Sequence, residues 1–478
     1  MRLWEHSLLA EGHAGFIYNR LTHGYNAGLK GACMSQLLND WRDRPTHRRV
    51  WALAAPMILS NLSGPLVTLV DSTVIGHLPH AHQLGAVAVG GSLYGLLAWS
   101  MGFLRMGATG FAAQAAGRND GGRLRQVLVQ GLLLALLLTA VLTLCAEPFV
   151  RVSLDLMHPS PELLQSTLDF FYTRLFGLPA ALASYALVGW FLGTQNARAP
   201  LIILLTTNCL NIVLNLWFVL GLNWGVVGSA QASVISEWVA VFIGLWLTRP
   251  ALRAYPDHMA WAALKLWRSW QPLLTVNRDI FIRSMALQAV FYLITVQGAR
   301  LGDATVAANA LLLNGLLLTA QALDGLAHAV EALCGHAIGA RDRVALRRSM
   351  VVAGGWSLLA SVAFAAFFLL GGHLFIALQT DILAVRETAD HYLAYLALLP
   401  LIAVWSYLLD GLFIGATRAR EMRNGMVISL LLVLPVGWLT QGLGNHGLWI
   451  SFLLFMALRA ITQGIIAWRL QQRHAWFD

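Results

Sequence analysis

Ionisable and amide side chains are costly inside an apolar run, so where they recur they mark candidate sites for ions, protons or cargo. The stretch Pro56-x-x-x-x-Asn61-x-x-x-Pro65-x-x-Thr68-x-x-Asp71 puts Asn61, Thr68 and Asp71 roughly on one face of a helix. Pro65 frees a backbone carbonyl and permits a kink nearby. A carboxyl group in a low-dielectric cavity is a candidate for binding and releasing a proton, and a kinked helix can respond to the change. The competing reading leaves Asp71 solvated near the outer interface. Further on, Asn208, Asn211 and Asn215 stand at i, i+3 and i+7, too many amides on one face to point at lipid. Structural hydrogen bonds between helices and contact with cargo in a wet cavity are equally good accounts of them.

The richest stripe is Asn314, Gln321, Asp324, His328 and Glu331, about a third of a helix circumference. Asp324, His328 and Glu331, at i, i+4 and i+7, have the spacing to share hydrogen bonds and protons. A proton-handling cavity wall is the favoured reading, and a buried structural network the other. His328-x-x-Glu331 with His336 lacks adjacent second ligands, so no metal is assigned. Asp410 lies inside another apolar run, directly before Gly411. Glu237, Arg105, Arg174 and Arg459 carry weaker cases: Glu237 as a lobe-internal hydrogen-bond acceptor, the arginines as side chains snorkelling to the interface. The acidic groups favour a cationic or protonatable cargo.

The elements that position these residues follow from composition. Of 478 residues, 58% are hydrophobic and 12% charged, about half the charge of a soluble protein; mean hydropathy is +0.63. Apolar runs near 50–76, 84–112, 126–146, 165–192, 201–221, 226–247, 280–299, 304–338, 350–370, 391–415, 424–441 and 447–468 predict twelve membrane spans. Arginine and lysine crowd alternate gaps: Arg42, Arg44, Arg48 and Arg49; Arg118, Arg123 and Arg125; Arg198; Arg249 to Arg283; Arg341 to Arg348; Arg418 to Arg423; Arg469 and Arg473. Only Arg151, Arg300 and Arg386 fall in the others. Positive charge marks the cytoplasmic side, so both termini are expected there. The net charge of +9 is thus a topology signal and implies no nucleic acid. Four dispersed cysteines, Cys33, Cys145, Cys209 and Cys334, imply neither disulfides nor a zinc site. Met34 is a candidate for the natural start, because residues 1–33 are mixed and aperiodic.

The halves resemble each other at a constant offset of 222 residues, most clearly in Tyr185-x-x-x-Gly189-x-Phe191-x-Gly193-x-x-x-Ala197-Arg198 against Tyr407-x-x-x-Gly411-x-Phe413-x-Gly415-x-x-x-Ala419-Arg420. Six spans per half is an even number, so both insert with one orientation and the symmetry axis runs along the membrane normal. The expected organisation is a cytoplasmic leader (1–49), an N-lobe (50–247), an inter-lobe linker with an amphipathic helix on the inner surface (248–279), a C-lobe (280–470) and a tail (471–478). The fold class is an all-α integral membrane protein of two six-helix lobes.

These residues resemble the multidrug and toxic compound extrusion (MATE) family, in its DinF-type bacterial branch. The resemblance runs from Trp51 to Trp476 and is carried by Ala55-Pro56-Met57-Ile58, Leu69-Val70-Asp71-Ser72-Thr73, Phe103-Leu104-Arg105-Met106, Asn277-Arg278-Asp279-Ile280, Ala322-Leu323-Asp324-Gly325 and Tyr407-Leu408-Leu409-Asp410-Gly411. It implies a central cleft open to one side at a time, and export of bulky, often cationic compounds against protons or sodium ions. No cofactor beyond the coupling ion is implied. Its partners are the lipid bilayer and small organic substrates, and its setting is the bacterial inner membrane, where it works as a monomer. By the resemblance Asp71 is the first-helix carboxylate whose protonation bends the helix, and Asn211 belongs to the same site. Asn215 departs from the family pattern, which has aspartate there. Either Asp71 carries the N-lobe coupling alone, or Asp324, Glu331 and Asp410 share it. No phosphate-binding G-x-x-x-x-G-K-[ST] loop occurs, which disfavours direct ATP drive. The alternatives are a lipid-linked-precursor flippase, for which a tight group of intramembrane arginines would be the sign, and a membrane-embedded enzyme, for which no nucleophile–base pair is evident.

Overall fold

A bilayer offers no water to unpaired backbone groups, so long apolar segments must satisfy their own N–H and C=O groups as helices. The computed structural model describes residues 35–76 and 81–477; the expected leader up to Met34 lies outside them. Among the described residues there is no strand. In chain order the helices are α1 (Arg44–Gly76), α2 (Ala81–Ser100), α3 (Phe103–Gly117), α4 (Gly121–Met157), α5 (Pro161–Leu175), α6 (Leu178–Gly193), α7 (Arg198–Asn215), α8 (Gly225–Arg253), α9 (Trp267–Ala299), α10 (Asp303–Gly339), α11 (Arg343–Ala377), α12 (Leu383–Gly415), α13 (Ala419–Leu439) and α14 (Asn445–Gln472). Together α2 and α3 form one apolar span, and α5 and α6 meet at 47° at Gly177 and Pro179. A π-helical turn, Leu216–Gly221, extends α7. Counting the bent pair as one, twelve spans result among the described residues.

The 222-residue offset is a structural repeat. Asp120 caps α4 by accepting from the Arg123 backbone N–H, and Asp342 caps α11 in the same way from Val344 and Ala345. Asn119 and Arg341 share a left-handed backbone at the end of equivalent helices, as do Gln195 and Thr417. Glycines make the helix crossings. A Cβ on Gly189 would meet the Arg105 carbonyl oxygen at 2.1 Å, and one on Gly411 would meet that of Ala327 at 2.7 Å. Across the two lobes the contact is reciprocal. Gly117 of α3 abuts the His336 carbonyl, at 2.1 Å for an added Cβ, and Gly339 of α10 abuts that of Gln114, at 2.2 Å. Since 117 and 339 are one repeat apart, as are 114 and 336, this contact straddles the pseudo-two-fold axis at the arginine-rich end.

Two further features differ from expectation or add to it. The linker's amphipathic helix is not separate: Trp267, Trp270 and Leu273 form the opening turns of α9, which runs unbroken into the seventh span. A short 3-10 turn, Trp261–Lys265, precedes it, held by the Trp270 indole N–H donating to the Leu264 carbonyl at 2.8 Å. Before α1, residues 35–41 form a helix that straps onto the C-lobe helix α11. Asp40 accepts from Arg347 and Arg348, and the Trp41 ring covers Gly355. Cys145, Cys209 and Cys334 are free thiols.

Replacing Gly339 by valine should force α3 and α10 apart at a cost of about 1–3 kcal/mol, read as a lowered Tm in detergent. Gly371→Ala, where a Cβ meets nothing nearer than the Phe367 ring at 3.8 Å, should leave Tm unchanged or raised.

The strap predicts a pH dependence. Hydrogen bonds from Arg347 hold the Asp40 carboxyl below its ordinary range. A depressed value in the docked state means its contribution is complete above the ordinary carboxylate range, about pH 4, and is lost as pH falls through the lower value. Hydrogen exchange over residues 35–43, taken relative to the intrinsic rate at each pH, should therefore be slow from pH 5 to 8 and quicken only in stronger acid. In Asp40→Asn it should be fast already at pH 7.

Candidate functional site

In the N-lobe, α7 presents its three amides to two neighbours. Asn208 donates from Nδ2 to the Ser63 hydroxyl of α1 at 2.5 Å, Asn211 to the Ser233 hydroxyl of α8 at 2.8 Å, and Asn215 to Asp71 Oδ1 of α1. Each amide thus ties helices together, yet the Oδ1 atoms of Asn211 and Asn215 are buried without a partner. Asp71 is half-buried and belongs to this polar seam rather than to open solvent. Thr68 is exposed and turns back on the Gly64 carbonyl at 3.5 Å. Asn61 reaches the other lobe, donating to the Gln321 backbone carbonyl of α10 at 3.1 Å. The face expected to gather Asn61, Thr68 and Asp71 therefore serves three surroundings.

Beside the seam, Arg174 pairs with Glu237 at 2.9 Å and lies 4.0 Å from the Tyr94 ring centroid, within electrostatic reach of Asp71. Glu237 is indeed a lobe-internal acceptor. Its partner Arg174 does not snorkel.

A cavity of about 580 Å³ lies between α3 of the N-lobe and α9, α10, α12 and α14 of the C-lobe, lined by Asp324, His328, Glu331 and Asp410 together with Arg105, Arg283, Arg459 and Tyr407. The wall residues of α10 do not bond to one another as their spacing suggested. Glu331 instead takes Arg105 of the other lobe at 2.9 Å, the His328 Nδ1 is buried without a partner, and Asn314 donates to the Gln379 side chain at 3.0 Å. Gln321 contributes its backbone carbonyl to Asn61. Asp410 is buried and fully engaged: Oδ2 accepts from both Arg283 and Arg459, and Oδ1 from Gln463 at 2.7 Å.

This cluster corrects two readings. Arg105 and Arg459 are ion-paired inside the protein, not snorkelling, and Arg283, counted above with the cytoplasmic charges, is buried beside Asp410. Three arginines scattered along the chain therefore converge, the sign named for a flippase. Each is nevertheless taken by a carboxylate, Arg105 by Glu331 and the other two by Asp410, so among the described residues no guanidinium lining the cavity lacks an ion-pair partner. Spacing could not have found these pairs, because their members lie from 49 to 226 residues apart. The repeat sharpens the asymmetry. Arg283 and Arg459 occupy the positions of Asn61 and Glu237 in the first half.

Of the five carboxylates noted within spans, Glu237, Glu331 and Asp410 are paired with arginine; Asp71 and Asp324 are not.

Comparison with known proteins agrees with the repeat. The MatE family model matches twice, over residues 56–217 and 280–439. The chain is 44% identical over 446 residues to the DNA damage-inducible protein F of Escherichia coli (strain K12), covering 90% of this chain and 94% of that protein. It is 28% identical to a probable multidrug resistance protein NorM of Xanthomonas campestris, covering 87% and 93%. Among solved structures, MATE in the bent conformation superposes with a TM-score of 0.81 at 19% identity, covering 92% of this chain and 98% of that one. A MOP superfamily transporter from Pyrococcus furiosus gives 0.79 at 20%, covering 91% and 97%.

The pairing predicts opposite outcomes for two similar substitutions. Asp410→Asn strands two buried guanidinium groups and should cost about 3–5 kcal/mol, read as a large fall in Tm. Asp324→Asn removes a charge that has no partner, and its Tm should equal or exceed that of the wild type.

Proposed function

The chain belongs to the MatE family of membrane transporters, and we propose that it is a multidrug efflux antiporter that exchanges bulky, often cationic organic compounds for protons or sodium ions. The observation that carries this reading is the pair of carboxylates without an arginine partner, one in each lobe. Asp71 is hydrogen-bonded by an amide, the nearby Arg174 being paired with Glu237, and Asp324 lines the larger cavity unpaired. An unpaired carboxylate is where a proton or cation and a cationic cargo compete for one charge, and that competition is what couples their opposite movements. Asp410 and Glu331, already neutralised by arginine, serve as scaffold in this account. Asn215 cannot titrate, so Asp71 carries the N-lobe exchange alone, with Asn215 holding its ionised form through a hydrogen bond.

Among the glycine crossings between the lobes, the tight pair at Gly117 and Gly339 is at the arginine-rich end, which supports a cleft opening at the opposite face and rocking of two lobes about that contact. By the arginine distribution both termini are cytoplasmic. The setting is the bacterial inner membrane, and the working unit a monomer. One charge moving through 100 mV supplies about 2.3 kcal/mol, enough for roughly fifty-fold accumulation. The relatives named for multidrug resistance support the cargo class.

Dye efflux from proteoliposomes, driven by a proton gradient or a sodium gradient alone, tests the reading. At least one gradient should accelerate efflux in the wild type, and Asp71→Asn should abolish that acceleration while keeping the wild-type Tm. Transport indifferent to both gradients would falsify antiport. Full coupling in Asp71→Asn would shift the exchange to Asp324.

A further inference from the structure

A second cavity, of about 400 Å³, lies wholly within the C-lobe between α9, α13 and α14, a volume suited to a small organic ligand. Its chemistry is legible through the repeat. One repeat earlier, its lining residues become the N-lobe polar seam: Leu293 stands for Asp71, Leu430 for Asn208, Val433 for Asn211 and Gly437 for Asn215. The exchange extends to a bonded partner, since Phe455 stands for Ser233, the residue that accepts from Asn211. Hydrogen bonds that fill the N-lobe site are thus replaced by apolar surface and space. A Cβ on Gly437 would meet only the Ser451 hydroxyl, at 3.8 Å, where Asn215 projects a whole amide.

Among the described residues no carboxylate lines this cavity. Its one charged side chain is Arg300, exposed just beyond the end of α9, with no ion-pair or hydrogen-bond partner for its guanidinium among the described residues. An apolar body without a carboxylate and with one free guanidinium at the rim disfavours a cation, because a buried cation there would find no counter-charge and would meet the like charge of Arg300. Guanidinium matches carboxylate, sulfonate or phosphate through paired N–H donors.

We propose that this cavity binds an anionic amphiphile, with its ring or chain among Leu293, Val433, Phe452 and Phe455 and its acidic group on Arg300. The site stands on the cavity itself and not on the coupling reading, so the failure of either leaves the other intact. Such a ligand has two sources, an anionic membrane lipid or a soluble amphiphile.

The test uses the full chain in phosphatidylcholine nanodiscs, with empty discs subtracted, and two fluorescent probes that share one ring body. Anilinonaphthalene sulfonate carries the anion and N-phenylnaphthylamine lacks it. The sulfonate should bind saturably, and Arg300→Gln should weaken it about tenfold while leaving the neutral probe unchanged. Gly437→Phe, which fills the cavity, should weaken both at least tenfold. Adding phosphatidylglycerol to the discs separates the sources: competition identifies a lipid occupant, undiminished binding a soluble one. Equal sulfonate affinity in the wild type and Arg300→Gln would overturn the proposal, as would binding that folded Gly437→Phe leaves unchanged. Because Arg300 is exposed, its variant remains decisive even if Gly437→Phe does not fold.

Discussion

Lipid tails are as apolar as leucine, so helices in a bilayer gain little from burying apolar surface and must associate through close packing and polar contacts. In this protein the governing contact is the reciprocal one between Gly117 and the His336 carbonyl, and between Gly339 and the Gln114 carbonyl. It brings α3 and α10 to backbone contact on the symmetry axis. Each lobe repeats the device internally, with Gly189 on Arg105 and Gly411 on Ala327. The cavities, the ion pairs and the position of α1 against α10 follow from where these crossings place the helices. Arg105 reaches Glu331 across the lobes because the same α3–α10 crossing holds their backbones together.

On this symmetric frame the two lobes diverge in chemistry. The N-lobe spends its polar residues on an amide seam beside a single unpaired carboxylate, next to a buried arginine–glutamate pair. On the C-lobe side two arginines and three carboxylates, joined by Arg105 of the N-lobe, face one cavity, and pairing leaves Asp324 without an arginine. A buried ion pair adds little net stability but is costly to break. Arg283, Asp410 and Arg459 therefore act as a clamp on α9, α12 and α14, and the carboxylates left without an arginine partner are Asp324 and Asp71. Above that cluster the C-lobe is apolar where the N-lobe is polar. Two copies of one scaffold thus offer three chemically different surfaces to small molecules.

What the linear chain determined was everything governed by local composition and periodicity. Twelve apolar runs specify the spans, since insertion depends on each segment's own transfer into lipid. The offset of 222 residues specified which glycines and caps would be equivalent, and Asp120 with Asp342, and Gly189 with Gly411, bear that out. Asp71, Asp324, Glu331 and Asp410 were visible because charge in an apolar run is conspicuous whatever surrounds it. The partners of those charges were decided only by tertiary structure. Asp324 and Glu331 share a face of α10, yet one is free and the other paired, because the rotation and depth of α3 determine which of them Arg105 can reach. In a medium of low dielectric a carboxylate's role depends on what stands within a few ångströms of it, and that distance is a property of helices packed together, not of any one of them read alone.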